Sequence, residues 1–299
     1  MTRILIVGRG GQIGRELVGV FSDTPDVVAL GRAEFDLANP AAIQSTLRTL
    51  RPGIVINAAA YTDVDGAEKS QDAALRVNRD APAEIARELE SWNGALIHYS
   101  TDYVFDGGKS SPYEEVDAPA PLSIYGRSKL EGEQAIQSSG CAHLILRTSW
   151  IYGAFGKNFC RTVWRLAQER DELRIVSDQT GSPSWARMVA RATRTLIEKF
   201  GDEIRDAHDI VHVAGSGATS RHAFATEILG LLYGRYGEHA AIAKRIMPVG
   251  SSEFKTPAVR PRYSALSTNK LRSKFGIELP PWRHDLAEFV ASTPDETWA

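Results

Sequence analysis

The sequence predicts an α/β fold: a doubly wound parallel sheet over residues 1–155, followed by a smaller C-terminal domain over 156–299. Three observations predict it. Short apolar runs alternate with stretches of helical periodicity through the first half, and strand-helix alternation builds βαβ units whose parallel sheet is covered on both faces. A glycine-rich turn, "GRGGQIG", joins the first run to the first helical stretch. The second half loses the alternation, which suits a separate, smaller unit.

Taken in order, the runs at 3–7, 27–30, 54–58, 96–99 and 144–147 read as buried strands. Residues 12–21, 41–50, 73–90 and 123–138 space their apolar residues as helices do. Further strands are expected at 173–176 and 210–213, and helices at 158–169, 186–200, 222–233 and 283–291. The stretch "KTPAVRPRYSALS" (255–267) is proline-rich and too apolar for a floppy linker, so an ordered loop is expected. Some late segments are expected to return to the first domain.

Composition narrows the function classes. The chain has 299 residues, 43% hydrophobic and 24% charged, enough to bury a large core. Its 35 basic and 37 acidic residues leave a formal charge of −2, which gives no basic surplus for nucleic acid. No stretch approaches the ~20 apolar residues of a membrane span, and the N-terminus shows no signal-peptide pattern. Cys141 and Cys160 match no metal spacing, so free thiols in a reducing cytoplasm are expected.

Gly8, Gly11 and Gly14 are spaced G-x-x-G-x-x-G directly after the first strand. Glycines there allow a tight turn and let a pyrophosphate approach a helix N-terminus. A plain strand-to-helix turn is the alternative, but it has no need of three spaced glycines. The second strand ends at Leu30-Gly31-Arg32, near where a dinucleotide's adenosine ribose lies. With no acid there, Arg32 is either a 2′-phosphate ligand or a solvated loop residue. Asp36 comes about one turn too late for the ribose and, with Leu37, is expected at the adenine edge. The small residues of "NAAAYT" (57–62) let a flat cofactor lie against the third strand's end, or simply pack the core.

The fourth strand ends in "HYSTDYVFDG" (98–107), which places Ser100 and Thr101 at the sheet edge where open α/β folds hold ligands. Tyr125-x-x-x-Lys129 follows. On a helix that spacing puts phenol and ammonium on one face, one turn apart. Free tyrosine has a pKa of about 10, and a neighbouring ammonium lowers it. The tyrosine could then exchange a proton near neutral pH while a hydride moves to or from a carbonyl. The lysine could also hold a nicotinamide ribose, and Thr101 could hydrogen-bond the substrate oxygen. Alone, Tyr-x-x-x-Lys is an ordinary amphipathic helix surface. The glycine turn and Ser100-Thr101, in that order along the chain, argue against that.

With these motifs, and with "NAAAYTDVDGAE", "PLSIYGRSKLEGE", "LRTSWIYG", "DQTGSP" and "RPRYSALST", the sequence resembles the extended short-chain dehydrogenase/reductases over nearly its whole length. Within them it resembles the branch that reduces dTDP-4-dehydro-L-rhamnose. The resemblance implies a Rossmann-like fold, a C-terminal substrate-binding domain and reduction to dTDP-L-rhamnose, a cell-surface sugar donor, with NADPH, NADH also being used. It implies Tyr125 as proton donor, Lys129 as its partner and Thr101 as third catalytic residue. It implies a cofactor lined by Gly11, Gln12, Ile13, Asp36, Leu37, Ala60, Tyr61, Thr62 and Tyr99, and a nucleotide-sugar substrate touched by Thr101, Asp102 and Trp150. Trp150 has core packing as its alternative.

Some members dimerise around magnesium held by glutamates. Glu16 could match one ligand, but Arg187 stands where another would be, so no metal site and a monomer or weak homodimer are expected. A nucleotide-sugar 4,6-dehydratase would resemble "TDE" where this chain has Thr101-Asp102-Tyr103. A 4-epimerase is disfavoured only by the overall resemblance. A non-catalytic regulatory subunit would not need Thr101, Tyr125 and Lys129 together.

Overall fold

The computed structural model describes residues 2–298. In the first half, strands and helices follow one another as β1 (Ile4–Val7), α1 (Gln12–Val20), β2 (Val27–Leu30), α2 (Pro40–Leu50), β3 (Ile54–Asn57), α3 (Val64–Lys69), α4 (Gln71–Leu75), α5 (Ala81–Glu90), β4 (Ala95–Thr101), α6 (Ile124–Gln137) and β5 (Ala142–Thr148). The second half continues with β6 (Ile151–Tyr152), α7 (Phe159–Glu169), β7 (Glu172–Val176), β8 (Thr180–Gly181), β9 (Ser184–Trp185), α8 (Ala186–Ile204) and β10 (His208–His212). It closes with β11 (Thr219–Ser220), α9 (Arg221–Tyr236), β12 (Arg245–Val249), α10 (Asn269–Phe275) and α11 (Trp282–Ser292).

Six strands form the central sheet in the order β2-β1-β3-β4-β5-β10, every neighbouring pair parallel. The late strand β10 therefore closes the sheet on β5. Chain direction across the sheet reverses between β1 and β3, which opens a crevice at their C-terminal ends. The alternation of each strand sets the two faces: Ile4, Ile6, Ile54, Ile56 and Ile97 enter one core cluster, and Leu5, Val7, Val55 and Leu96 the other. Full burial of each such side chain stabilises by about 1.5–3 kcal/mol. The first cluster runs on through α7, α8, α9 and α11, so the two halves share a core. No helix of the described residues is long and apolar enough to cross a membrane.

The helix expected over 73–90 is interrupted. Residues Arg76–Asp80 form a π-helical turn between α4 and α5. Pro82 has no N–H to return to the Asn78 carbonyl, so the regular ladder cannot pass through it. The widened turn meets α6 at Gly132, where a Cβ would stand 2.0 Å from the Asn78 carbonyl oxygen. Asn78 also donates to the Ser128 hydroxyl at 3.0 Å. These contacts, with the buried Arg147–Glu133 pair at 2.6 Å, fix α6 against the sheet. That helix carries Tyr125 and Lys129.

Candidate active site

The glycine turn is built for close approach. Gly8 has φ +90°, and Gly14 lies so near the Gly8 carbonyl that a Cβ would stand 2.0 Å from that oxygen. Gly11 caps α1 with no side-chain hydrogen bond, which leaves the first N–H groups of the helix unclaimed by a cap. Gln12 Oε1 is buried there without a partner. Unclaimed donors at a helix start, in a turn with no side-chain bulk, fit a dinucleotide's pyrophosphate. Ile13 packs its side chain on the core behind them.

At the end of β2 the structure corrects the expectation of an acid-free edge. Glu34 folds back so that Gly31 N–H donates to its carboxylate at 3.0 Å, and Arg9 donates to it at 2.5 Å. Arg32 projects into solvent, its side chain 89% exposed, with Asp36 4.0 Å away. Asp36 accepts from Ala38 N–H at 3.0 Å. Leu37 does not offer its side chain to a ligand; it is buried in the core with Phe35. Beyond β3, Ala60 and Tyr61 are half-buried and Thr62 is exposed. Asn78 clamps the Tyr61 backbone at both its N–H (2.8 Å) and its carbonyl (3.0 Å).

Thr101 and Tyr125 are brought together. Ser123 caps α6 by accepting from Gly126 N–H at 3.1 Å, and Gly126 packs where a Cβ would stand 2.2 Å from the Tyr103 carbonyl. This seats Tyr125 one turn above Lys129, against the end of β4. Burial pushes the Tyr125 phenol well above its ordinary value, offset in part by the Thr101 hydroxyl. The expectation that Lys129 lowers the phenol's pKa is corrected here. Lys129 Nζ instead donates to the Tyr99 carbonyl at 2.7 Å and lies 3.0 Å from His98 Nε2. Tyr99 itself turns its ring into the core, its hydroxyl 2.6 Å from Thr193 Oγ1, so only its backbone faces Lys129.

Asp102 is also less free than expected. Its carboxylate is buried and accepts from Thr101 (3.1 Å), Ser149 (3.0 Å) and Ser264 (2.6 Å). It orients Thr101 from behind rather than facing a cavity.

A cavity of about 1110 Å³ opens beside this cluster, lined among others by Tyr103, Gln179, Arg221, Lys255, Arg260 and Arg262. Its nearest approach to the chemistry is through Tyr103, whose ring stands edge-on to Tyr125 at 5.6 Å. Trp150 is not among the lining residues; its indole lies 3.9 Å beneath the Arg221 guanidinium. Its φ of +45° is an outlier for so bulky a residue, and a Cβ on Gly181 would stand 2.4 Å from the indole. The backbone is thus held in a costly state to put that ring under that cation. Arg221 is half-buried, and among the described residues no ion pair joins it to a carboxylate, whereas Arg260 is paired with Asp65 at 2.8 Å. A half-buried cation on the cavity wall, set between two aromatic faces and the Tyr103 phenol with Asp102 in its field but in no ion pair with it, has room to pair with an anion. Sequence reasoning missed Arg221 and Glu34, which stand in no motif. Arg260, Tyr103 and His98 stand in the quoted motifs but received no role.

A Gly-rich turn at the sheet's switch point, with a Thr, Tyr and Lys cluster at the end of β4, defines an extended short-chain dehydrogenase/reductase. The family model described as RmlD substrate binding domain matches residues 1–294. A dTDP-4-dehydrorhamnose reductase from Burkholderia thailandensis is 42% identical, over 94% of this chain and 96% of that one. Another from Sinorhizobium fredii is 39% identical over 96% of each. The crystal structure of dTDP-4-dehydrorhamnose reductase from Bacillus anthracis, in complex with NADP, superposes with a TM-score of 0.89 at 33% identity, covering 98% of this chain and 99% of that one. This chain belongs to the dTDP-4-dehydrorhamnose reductase family. A UDP-glucose 4-epimerase from Thermus thermophilus, 18% identical with a TM-score of 0.76, shares the fold.

Proposed function

We propose that this protein reduces the 4-keto group of dTDP-4-dehydro-L-rhamnose to give dTDP-L-rhamnose, with NADPH as its preferred cofactor and NADH as a poorer one. The observation that carries the reading is the seating of Thr101 and Tyr125 together at the sheet edge, beside a cavity lined by Arg221, which no ion pair occupies among the described residues. Bound NADPH supplies a hydride to the keto carbon. Tyr125, kept protonated by burial, donates its proton to the keto oxygen as charge develops there. Thr101 gives its one proton to Asp102 in the structure, so to hydrogen-bond the same oxygen that proton turns from the carboxylate to the substrate, leaving Asp102 its bonds from Ser149 and Ser264. Lys129 holds the nicotinamide ribose from the turn below Tyr125. Gly8, Gly11, Gln12 and Gly14 form the pyrophosphate cradle, with Asp36, Ala60, Tyr61 and Thr62 shaping its edges, Ile13, Leu37 and Tyr99 supporting them from the core, and Arg32 reaching a 2′-phosphate. Arg221 on its Trp150 platform faces the substrate's diphosphate. In this reading residues 1–155 hold the cofactor and much of 156–299 holds the nucleotide sugar. A cytoplasmic setting suits the two buried free thiols, Cys141 and Cys160.

The test is NADPH oxidation with dTDP-4-dehydrorhamnose, run beside UDP- and GDP-linked keto sugars and with NADH. Turnover confined to the dTDP substrate supports the reading. Turnover of another keto sugar alone would move the substrate assignment, and none with any would leave a binding subunit.

A further inference from the structure

Behind the catalytic cluster lies a buried polar chain with a proton problem. Asn57, on β3, accepts from Ala59 N–H through Oδ1 at 3.1 Å, which fixes the orientation of its amide. Its Nδ2 therefore faces His98 Nδ1, 3.1 Å away, and must donate to it. A neutral imidazole carries one ring proton. With Nδ1 accepting, that proton sits on Nε2, which points at Lys129 Nζ at 3.0 Å. An ammonium there would set a donor against a donor. An uncharged amine would accept from Nε2–H and still donate to the Tyr99 carbonyl at 2.7 Å. His98 and Asn57 are both 0% exposed and Lys129 is 2% exposed, so water does not relieve the conflict.

We propose that His98, held by Asn57, is a positioning residue for Lys129 that destabilises its ammonium and so brings the amine's proton into exchange near neutral pH. The catalytic meaning of this rests on the reductase reading above; the proton arrangement does not. Lys129 would then hand on and recover a proton beside Tyr125, rather than act as a fixed charge. The other groups around Lys129 do not remove the conflict. Glu133, one turn further on, favours the ammonium, but Arg147 of β5 already holds it at 2.6 Å. Tyr125 lies one turn back and Asp102 beyond it, bound by three hydroxyls. Glu68 of α3 accepts from Ile124 N–H, and Glu131 is paired with Arg79 and Arg127 on the outer face. In keeping with the geometry, burial pulls Lys129 down to about 8, and burial together with Lys129 pulls His98 well below its ordinary value.

The test is nitrogen NMR of the histidine rings in the whole chain, with His98 assigned by the signal lost in His98→Gln, beside a titration of the Lys129 side chain. At pH 9 the expected His98 form is the Nε2–H tautomer; the Nδ1–H tautomer would overturn the proposal. In His98→Gln, whose side-chain oxygen can accept from an ammonium, Lys129 is expected to titrate at least about one pH unit higher, and the kcat limb it governs to move with it. An unmoved titration would mean that burial alone sets Lys129, and the proposal falls. Should that variant not fold, Asn57→Asp serves. Its carboxylate keeps Ala59 N–H satisfied but must accept from His98 Nδ1, so the ring is expected to change tautomer and the Lys129 titration to rise. An unchanged tautomer there overturns the proposal. The tautomer and the Lys129 titration need no substrate, so they can succeed where the reductase reading fails, and the reverse; only the kcat limb depends on that reading.

Discussion

Tyr125 enters the reaction protonated, as any phenol does at neutral pH. Burial raises its pKa, and Lys129, expected to oppose this, is turned toward His98 and the Tyr99 carbonyl. A phenol kept protonated at neutral pH suits the reductive direction, in which the substrate oxygen gains a proton. Tyr125→Phe should therefore leave NADPH affinity nearly unchanged and cut turnover by roughly 10²–10⁴. Full turnover where chemistry limits the rate would show that another group is the acid. Trp150 acts at one remove. Because its ring supports Arg221 rather than lining the cavity, Trp150→Ala should loosen that cation and raise the substrate KM more than the NADPH KM. A desolvated cation–π contact is worth about 1–2 kcal/mol, roughly a five- to thirtyfold change. Equal effects on both constants would mean that the indole is core packing and nothing more.

At the scale of elements, cofactor choice in the proposed reading falls to β2 and the turn after it. A 2′-phosphate near Gly31 would meet Arg32, held only by an exposed 4.0 Å pair with Asp36, while Arg9 is tied to Glu34. Charge-assisted hydrogen bonds contribute about 1.5–3 kcal/mol, so NADPH should be preferred roughly ten- to a hundredfold. Arg32→Asp should reverse that ratio in kcat/KM, and Glu34→Gln should widen it by removing a carboxylate from the phosphate's side. A ratio untouched by either would place recognition elsewhere. This turn also shows where sequence reading stops. The strands, the glycine turn and Tyr125-x-x-x-Lys129 were legible because spacing and periodicity are local. The fold-back of Glu34 was not, since nothing in "GRAEF" says that a carboxylate returns to Gly31 N–H. Nor was the capture of Asp102, because Ser264 lies 162 residues away. Lys129 was found by its distance from Tyr125, yet its direction depends on His98 and Tyr99 on another element. The π-turn at Arg76–Asp80 was hidden in a pattern that favours a single helix, although Pro82 marked the break.

Across the whole molecule, charge pairing joins the two halves. Glu16 of α1, 6% exposed, accepts from Arg187 of α8 at 3.0 Å. That guanidinium stands where a metal would have to share the carboxylate, so activity is expected to persist in EDTA and to gain nothing from magnesium. A loss restored by magnesium would refute this. The same pairing argues against a metal bridge between copies at Glu16, so light scattering at micromolar concentration should find a monomer or a weak dimer. The molecule's response to acid follows from its histidines. His98, His143 and His212 are all buried, and burial lowers each, His212 to about 3. The unfolded chain takes up protons on these rings as pH falls through about 6.5, whereas the folded chain resists until far lower. Stability is therefore fully present above about 6.5 and is lost as pH falls toward 3. Each strongly shifted ring contributes up to about 1.4 kcal/mol per pH unit in that window. His212 faces Arg147 and Lys270, which disfavour its charge, while the Ser267 and Tyr113 backbones and the Asp117 carboxylate favour it without overcoming burial. Urea unfolding at pH 7 and pH 5 should thus show a loss of about 2 kcal/mol from this ring alone, and His212→Gln should remove that share of the slope. A variant that loses stability with acid as steeply as the wild type would show that His212 is protonated in the folded protein.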